Sequence, residues 1–261
     1  MSERYEFVVN LAREAGEKIL VLKEQGMEIS NKGGDPRDLV TNVDIEISNF
    51  ITEKINEKFP SETIYSEEAP DVDISSASLW TIDPVDGTAH FSRNIPHFSV
   101  VIAYVEKGVP SVGAIYNPVT KEMFSFEKDR GAFLNNNQVH VSSVKTLSGA
   151  HVFIHAGRKQ ELWDWGANAY KFLLSKANKT SNFGSSALDI CFVGTGRIEA
   201  CIYGSLTAVD IAAAFGFIKE AGGFIVGTNG NFINALSNEK QKLVAVNNEE
   251  ILSEIKSGIV I

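Results

Sequence analysis

The chain has 261 residues, 44% of them hydrophobic, and shows no low-complexity tract or internal repeat, the make-up of an ordinary globular protein with room for a substantial core. Its net charge is −9, with no Lys/Arg cluster on any periodic face, which argues against nucleic acid or an anionic membrane surface as the main partner. The N-terminal stretch is amphipathic and charged, unlike a signal peptide, and the longest apolar region, 208–226, is broken by Asp210, Lys219 and Glu220, so no membrane span is expected.

Residues 3–25 place Val8, Leu11, Ala12, Ala15, Ile19 and Leu22 at three- and four-residue steps, predicting an amphipathic helix that Gly26 stops. A turn-rich loop, Asn31-Lys32-Gly33-Gly34-Asp35-Pro36, leads into Asp38-Leu39-Val40-Thr41. Thr41 is placed to cap a second helix, whose inner face carries Ile47, Phe50, Ile51 and Ile55. Asp44 falls in the first turn of that helix, where compensation of the helix dipole would by itself account for it. Glu67 and Glu68 follow the apolar pair Ile64-Tyr65; adjacent glutamates most often mark a solvated loop.

The stretch Trp80-Thr81-Ile82-Asp83-Pro84-Val85-Asp86-Gly87-Thr88 is the centre of the chain. Trp80-Thr81-Ile82 reads as the end of a buried strand, and Pro84 disfavours helix at Asp83, so a rigid turn is expected to follow. Carboxylates three apart on such a turn can converge on one point. Gly87 permits backbone geometry that a Cβ would block, and Thr88 adds a hydroxyl. Hard oxygens, free amides and a hydroxyl at a strand's end suit a divalent cation held against a phosphate. The same residue types also make plain surface turns.

Phe98–Val105, Val112–Tyr116, Lys121–Glu127 and Gln138–Ser142 read as an antiparallel series, with turns at Glu106-Lys107-Gly108 and Asn135-Asn136-Asn137. Residues 1–145 therefore form two helices and a meandering sheet. Residues 146–261 alternate strand and helix: strands at Val152–His155, Ile198–Tyr203, Phe224–Val226 and Leu243–Val246, and helices at Glu161–Lys176, Ser185–Val193, Leu206–Ala221 and Glu249–Lys256. This suggests an α/β layer fused to an α+β first half. Asp210 lies in an apolar run where an unpaired charge would be costly, although a lone Asp there is more often a cap or a salt-bridged residue. Gly184, Ser185 and Ser186 open a helix whose first amides could face a phosphate. Cys191 and Cys201 fit no metal or redox spacing, so buried free thiols in the cytoplasm are expected. His90, His97, His140, His151 and His155 show no metal-ligand spacing either.

Taken together, Asp38-Leu39-Val40-Thr41…Asp44, Glu67-Glu68, Ile82-Asp83-Pro84-Val85-Asp86-Gly87-Thr88 and Val209-Asp210-Ile211-Ala212-Ala213…Glu220-Ala221-Gly222-Gly223 resemble the inositol monophosphatase family, in its order and spacing and over essentially the whole chain. The resemblance implies an α+β fold with αβαβα layers and lithium-sensitive hydrolysis of a small phosphate monoester. It also implies two or three Mg²⁺ ions per active site, and a homodimer. Carried over by position, Glu67, Asp83, the Val85 carbonyl, Asp86 and Asp210 would hold the metal. Glu67 and Thr88 would orient the attacking water, with Asp44 accepting from Thr88. Asp86, Gly87, Thr88, Gly184, Ser185, Ser186, Tyr203 and Asp210 would contact substrate.

Three positions depart from the family pattern. Val209 stands where Trp usually precedes the last aspartate, Tyr203 where a glutamate contacts sugar hydroxyls, and His90 where an asparagine is usual. No metal ligand is lost, so hydrolysis is expected and inositol specificity is not. The Ala-Val-Asp segment is similar to family members that combine fructose-1,6-bisphosphatase with inositol phosphatase activity. The related alternatives are a sugar bisphosphate, a 3′-phosphoadenosine nucleotide or histidinol phosphate as substrate. From another class, the chain could be a regulatory protein that keeps the fold.

Overall fold

The computed structural model describes residues 1–31, 34–35, 38–69, 74, 78–207, 210–227 and 239–260. Helix α1 (Glu3–Gln25) is capped by Ser2, whose hydroxyl accepts from the Tyr5 amide, and ends at Gly26, as the periodicity predicts. A small antiparallel pair, β1 (Ile29–Asn31) and β2 (Leu39–Thr41), precedes helix α2 (Asn42–Lys58). The loop residues Lys32, Gly33 and Pro36 lie outside the described residues. Strands β3 (Ile64–Ser66), β4 (Ser78–Asp86), β5 (Ser99–Glu106), β6 (Val109–Asn117), β7 (Glu122–Glu127), β8 (Gly131–Leu134) and β9 (Asn137–Val139) form a seven-stranded sheet in sequence order, with the short helix α3 (Thr88–Phe91) after β4. Every neighbouring pair in it is antiparallel except β3–β4.

The second half supplies β10 (His151–His155), α4 (Trp163–Lys176), β11 (Lys179–Ser181), α5 (Ser186–Gly194), β12 (Ala200–Leu206), α6 (Ala212–Glu220), β13 (Phe224–Gly227), β14 (Gln241–Val246) and α7 (Glu249–Lys256). Its five strands are ordered β11-β10-β12-β14-β13. No described helix is long and apolar enough to cross a membrane.

Period-two alternation sorts the side chains into layers. On β5, Val100 and Ile102 join Trp80, Ile82 and the apolar stripes of α1 and α2 in one core. Val101, Ala103 and Val105 point the other way, into a second core with α5, α6 and the Cys201/Tyr203 face of β12. Ala200 and Ile202 on the opposite face of β12 pack with α4 and α7 in a third. The fold is α+β, layered αβαβα. At the middle layer α6 lies close on the large sheet: a Cβ on Gly216 would fall 2.0 Å from Phe126 Cζ.

Two expectations change. Strand β4 does not stop at Ile82. It runs on through Asp83-Pro84-Val85-Asp86, with Asp83 opposite Val101, Asp86 opposite Ser99 and a shift of register between them. Pro84 has no N–H to donate, and the irregularity falls where a regular ladder would need one. Helix α6 starts at Ala212, six residues later than the apolar pattern predicts, because β12 extends to Leu206 and Asp210 sits in the turn between them. Strands β1, β2, β3, β8 and β11 have no counterpart in the sequence reading; each is three or four residues long, too short to show a period.

Candidate active site

The end of β4, the α5 N-terminus and the end of β12 enclose a cleft of about 270 Å³. Ten of the residues expected from sequence reach its wall: Glu67, Asp83, Val85, Asp86, Gly87, Thr88, Gly184, Ser186, Tyr203 and Asp210. Asp44 and Ser185 stand behind the wall, buried at 2% and 0% exposure, and touch wall residues instead.

Asp44 does two jobs from the first turn of α2. It closes a capping box with Thr41, its Oδ2 accepting from the Thr41 amide (2.9 Å) and hydroxyl. Its Oδ1 accepts from the Thr88 hydroxyl at 3.1 Å, a donor shared with the Val85 carbonyl at 3.0 Å. Helix capping and the link to Thr88 are thus both present, one on each oxygen. Gly87, at φ 92°, turns the chain from β4 into α3; a Cβ there would lie 3.0 Å from the His97 carbonyl, so glycine is required twice over.

Asp86 is received by the start of α5. The Ser185 hydroxyl (2.5 Å) and the Ala187 amide (3.0 Å) donate to Oδ2, and the Ser186 amide (3.1 Å) and hydroxyl (3.2 Å) donate to Oδ1. These donors offset the burial that raises the Asp86 carboxyl above its usual range. Asp83 has fewer: Oδ1 accepts from the Val85 amide at 3.0 Å. Burial, and then the charges of Glu67, Asp86, Asp210 and Asp44, push it well up. Asp210 is raised to about 6, by burial first and Glu67 second, against the Thr207 hydroxyl that donates to it. The wall is a concentration of negative charge that protein donors only partly balance.

Among the described residues no three acidic, histidine or cysteine side chains form a ready metal cage, and Asp83, Asp86 and Asp210 each accept from a protein donor. The donor chemistry nonetheless fits Mg²⁺. It is all oxygen, with several carboxylates that repel one another, and Mg²⁺ takes few protein ligands alongside water.

Three cations also line the cleft, Arg158, Lys159 and Lys240. Arg158 pairs with Asp38 at 3.0 Å and Lys159 with Glu161 at 3.6 Å, while the charge of Lys240 opposes the upward shift of Asp210. His155 stacks on Tyr203 with ring centroids 5.9 Å apart, and burial lowers its pKa. Arg158, Lys159 and Lys240 were not singled out from sequence, where scattered lysines and arginines carry no pattern, and His155 was read only as a histidine without metal-ligand spacing. Asp189 was missed as well, although it had the signal that marked Asp210: a carboxylate inside an apolar helical run, Ala187-Leu188-Asp189-Ile190-Cys191. His97 is buried and pairs with Asp189 at 2.9 Å, while His90 Nδ1 donates to the His97 carbonyl at 3.0 Å. Cys191 and Cys201 are free and buried.

The model of the inositol monophosphatase family matches residues 1–259. The chain belongs to that family. It is 30% identical over 235 residues to the fructose-1,6-bisphosphatase/inositol-1-monophosphatase of Thermotoga maritima, covering 90% of this chain and 89% of that one. It is 32% identical over 232 residues to the Nus factor SuhB of Pasteurella multocida, with 88% and 87% covered. Among solved structures, a Thermotoga maritima IMPase superposes with a TM-score of 0.87 at 28% identity, covering 98% of this chain and 96% of that one. The family's relatives thus include both phosphatases and proteins named as Nus factors. Val209, the departure from the family's Trp, lies outside the described residues.

Proposed function

We propose that this cleft hydrolyses a sugar or inositol phosphate monoester with Mg²⁺. The observation that carries the reading is the set of carboxylates, buried Asp83 and Asp86 and half-buried Asp210, meeting Glu67 in one cleft beside the Thr88–Asp44 pair. Glu67, Asp83, the Val85 carbonyl, Asp86 and Asp210 would hold the ions, which when bound supply charge neutralisation and Lewis acidity at phosphorus. Asp44 accepts the Thr88 proton, leaving the Thr88 oxygen to accept from a water. Glu67 is a second acceptor for that water, so the two aim its lone pair toward the cleft. The Gly87 and Thr88 amides head α3, where no earlier turn claims them, and can donate to phosphate oxygens. Ser186 and Tyr203 face the leaving group. Lithium inhibition and a homodimer belong to the same reading.

The lining cations Arg158, Lys159 and Lys240, whose side chains could turn from their present carboxylate partners to a phosphate, favour a substrate with a second anionic group, and so a sugar bisphosphate over inositol 1-phosphate. The test is phosphate release, with Mg²⁺ and with chelator, from inositol 1-phosphate, fructose 1,6-bisphosphate, 3′-phosphoadenosine 5′-phosphate and histidinol phosphate. Release should need Mg²⁺ and be greatest with the bisphosphate. Asp83→Asn should lower it by about 10²-fold or more, since even the outer partners of a metal ligand are worth 10–100-fold. A folded protein that binds Mg²⁺ and acts on none of the four would replace this reading with a regulatory, partner-binding one.

A further inference from the structure

We infer that Asp189 is a positioning residue for the leaving-group side of the cleft, making Tyr203 a hydrogen-bond acceptor toward substrate; the inference rests on the phosphatase reading above.

Asp189 lies in the first turn of α5 at 2% exposure, among Ala187, Leu188, Ile190 and Cys191, none more than 1% exposed. A carboxylate in such surroundings is tolerated only with partners, and its partners come from three separate parts of the fold. His97 Nε2, just before β5 of the large sheet, donates to Oδ1 at 2.9 Å. The Tyr203 hydroxyl, on β12 of the second sheet, donates to Oδ2 at 2.5 Å. The Gly184 amide, on the loop into α5, donates to Oδ2 at 3.4 Å. Asp189 does not line the cleft, but Tyr203 and Gly184 do. It therefore acts through them.

The chemical consequence lies in the Tyr203 hydroxyl. A phenol has one proton to donate, and here Asp189 takes it. What remains for a substrate is a pair of lone pairs, on an oxygen made more electron-rich by a charge-assisted bond. The ring is held at the same time, by that bond and by its stack on His155. Such a wall takes a hydroxyl that donates, as a polyol leaving group does, and gives nothing to a leaving group without one.

The test compares inositol 1-phosphate with 4-nitrophenyl phosphate, whose leaving group carries no alcohol, in the Mg²⁺-loaded enzyme. Asp189→Leu keeps the branching at Cγ and removes every acceptor. It should lower the ratio of kcat/KM for inositol 1-phosphate to that for the aryl ester by about 10–100-fold, chiefly through KM, the usual cost of losing a hydrogen bond to substrate. Asp189→Asn, whose carbonyl can still accept from Tyr203, should restore the ratio to within about threefold. Tyr203→Phe should reproduce the Asp189→Leu ratio, and carries the test if Asp189→Leu does not fold. Equal losses on both substrates in Asp189→Leu and Tyr203→Phe, or an unchanged ratio, would overturn the inference and leave the phosphatase reading intact. A wild-type protein that hydrolyses neither ester overturns this inference, and the phosphatase reading falls with it only if fructose 1,6-bisphosphate and the other substrates named above are left intact as well.

Discussion

Thr88 and Thr41 donate to opposite oxygens of the same carboxylate, and their substitution should have different consequences. Thr41 belongs to the cap of α2, so Thr41→Ala should cost about 1 kcal/mol of stability, read from urea unfolding. Thr88 faces the cleft, so Thr88→Val should slow phosphate release by about 10²-fold or more, on top of the stability lost when Oδ1 of buried Asp44 loses its donor. A Thr88→Val enzyme of normal rate would remove Thr88 from the water-orienting pair. At this scale much of the site was legible: Asp44, Glu67, Asp83, Asp86 and Asp210 all stand in motifs. Asp189 was not, because its partners His97 and Tyr203 are 92 and 14 residues away in sequence and no local spacing joins them. Ser185 was legible as a helix opener, yet it is turned inward onto Asp86 instead of facing the cleft.

Long helices declare themselves and short strands do not. Helices α1, α2 and α7 follow their apolar periods closely, and Thr41 was readable as a cap. The apolar run before α6 fits strand, turn or helix equally well; β12 claims its first residue through pairing with β14 across the Tyr203/Leu206 irregularity, which the local pattern does not contain. The packing of α6 on the large sheet gives a prediction at this scale. In Gly216→Ala the added methyl must push Phe126 aside, so the variant should lose about 1–3 kcal/mol by overpacking. Urea midpoints measure it; a neutral result would mean that Phe126 has a second resting position.

For the whole molecule, the carboxylate wall sets the response to cation. Folding brings Asp83, Asp86, Asp210 and Glu67 together at an electrostatic cost, and an ion that binds only the folded chain offsets it. Mg²⁺ at about 100 times its Kd should add about 2.7 kcal/mol, about 5–10 °C in Tm for a chain of this size. Chelator should reverse the shift and Asp83→Asn should lack it; a melting curve indifferent to Mg²⁺ would contradict the proposed ligand set. The layered architecture could be expected from the motifs' resemblance, but periodicity alone does not yield it. The order β11-β10-β12-β14-β13 depends on pairings between strands far apart in the chain.

The seating of Asp86 on the first residues of α5 bears on how sequences of this kind can be recombined. Strand β4 and helix α5 are encoded about 100 residues apart, yet one carboxylate and four donors join them. A chimera made by crossing this chain with a relative between β9 and β10 inherits the aspartate from one parent and its receptor from the other. Packing between the parental halves can adjust by many small side-chain moves, but this joint has no slack, since an ångström of offset leaves a buried carboxylate without donors. The joint therefore acts as a compatibility key, and crossovers that respect it should outnumber the rest among the active members of any shuffled library.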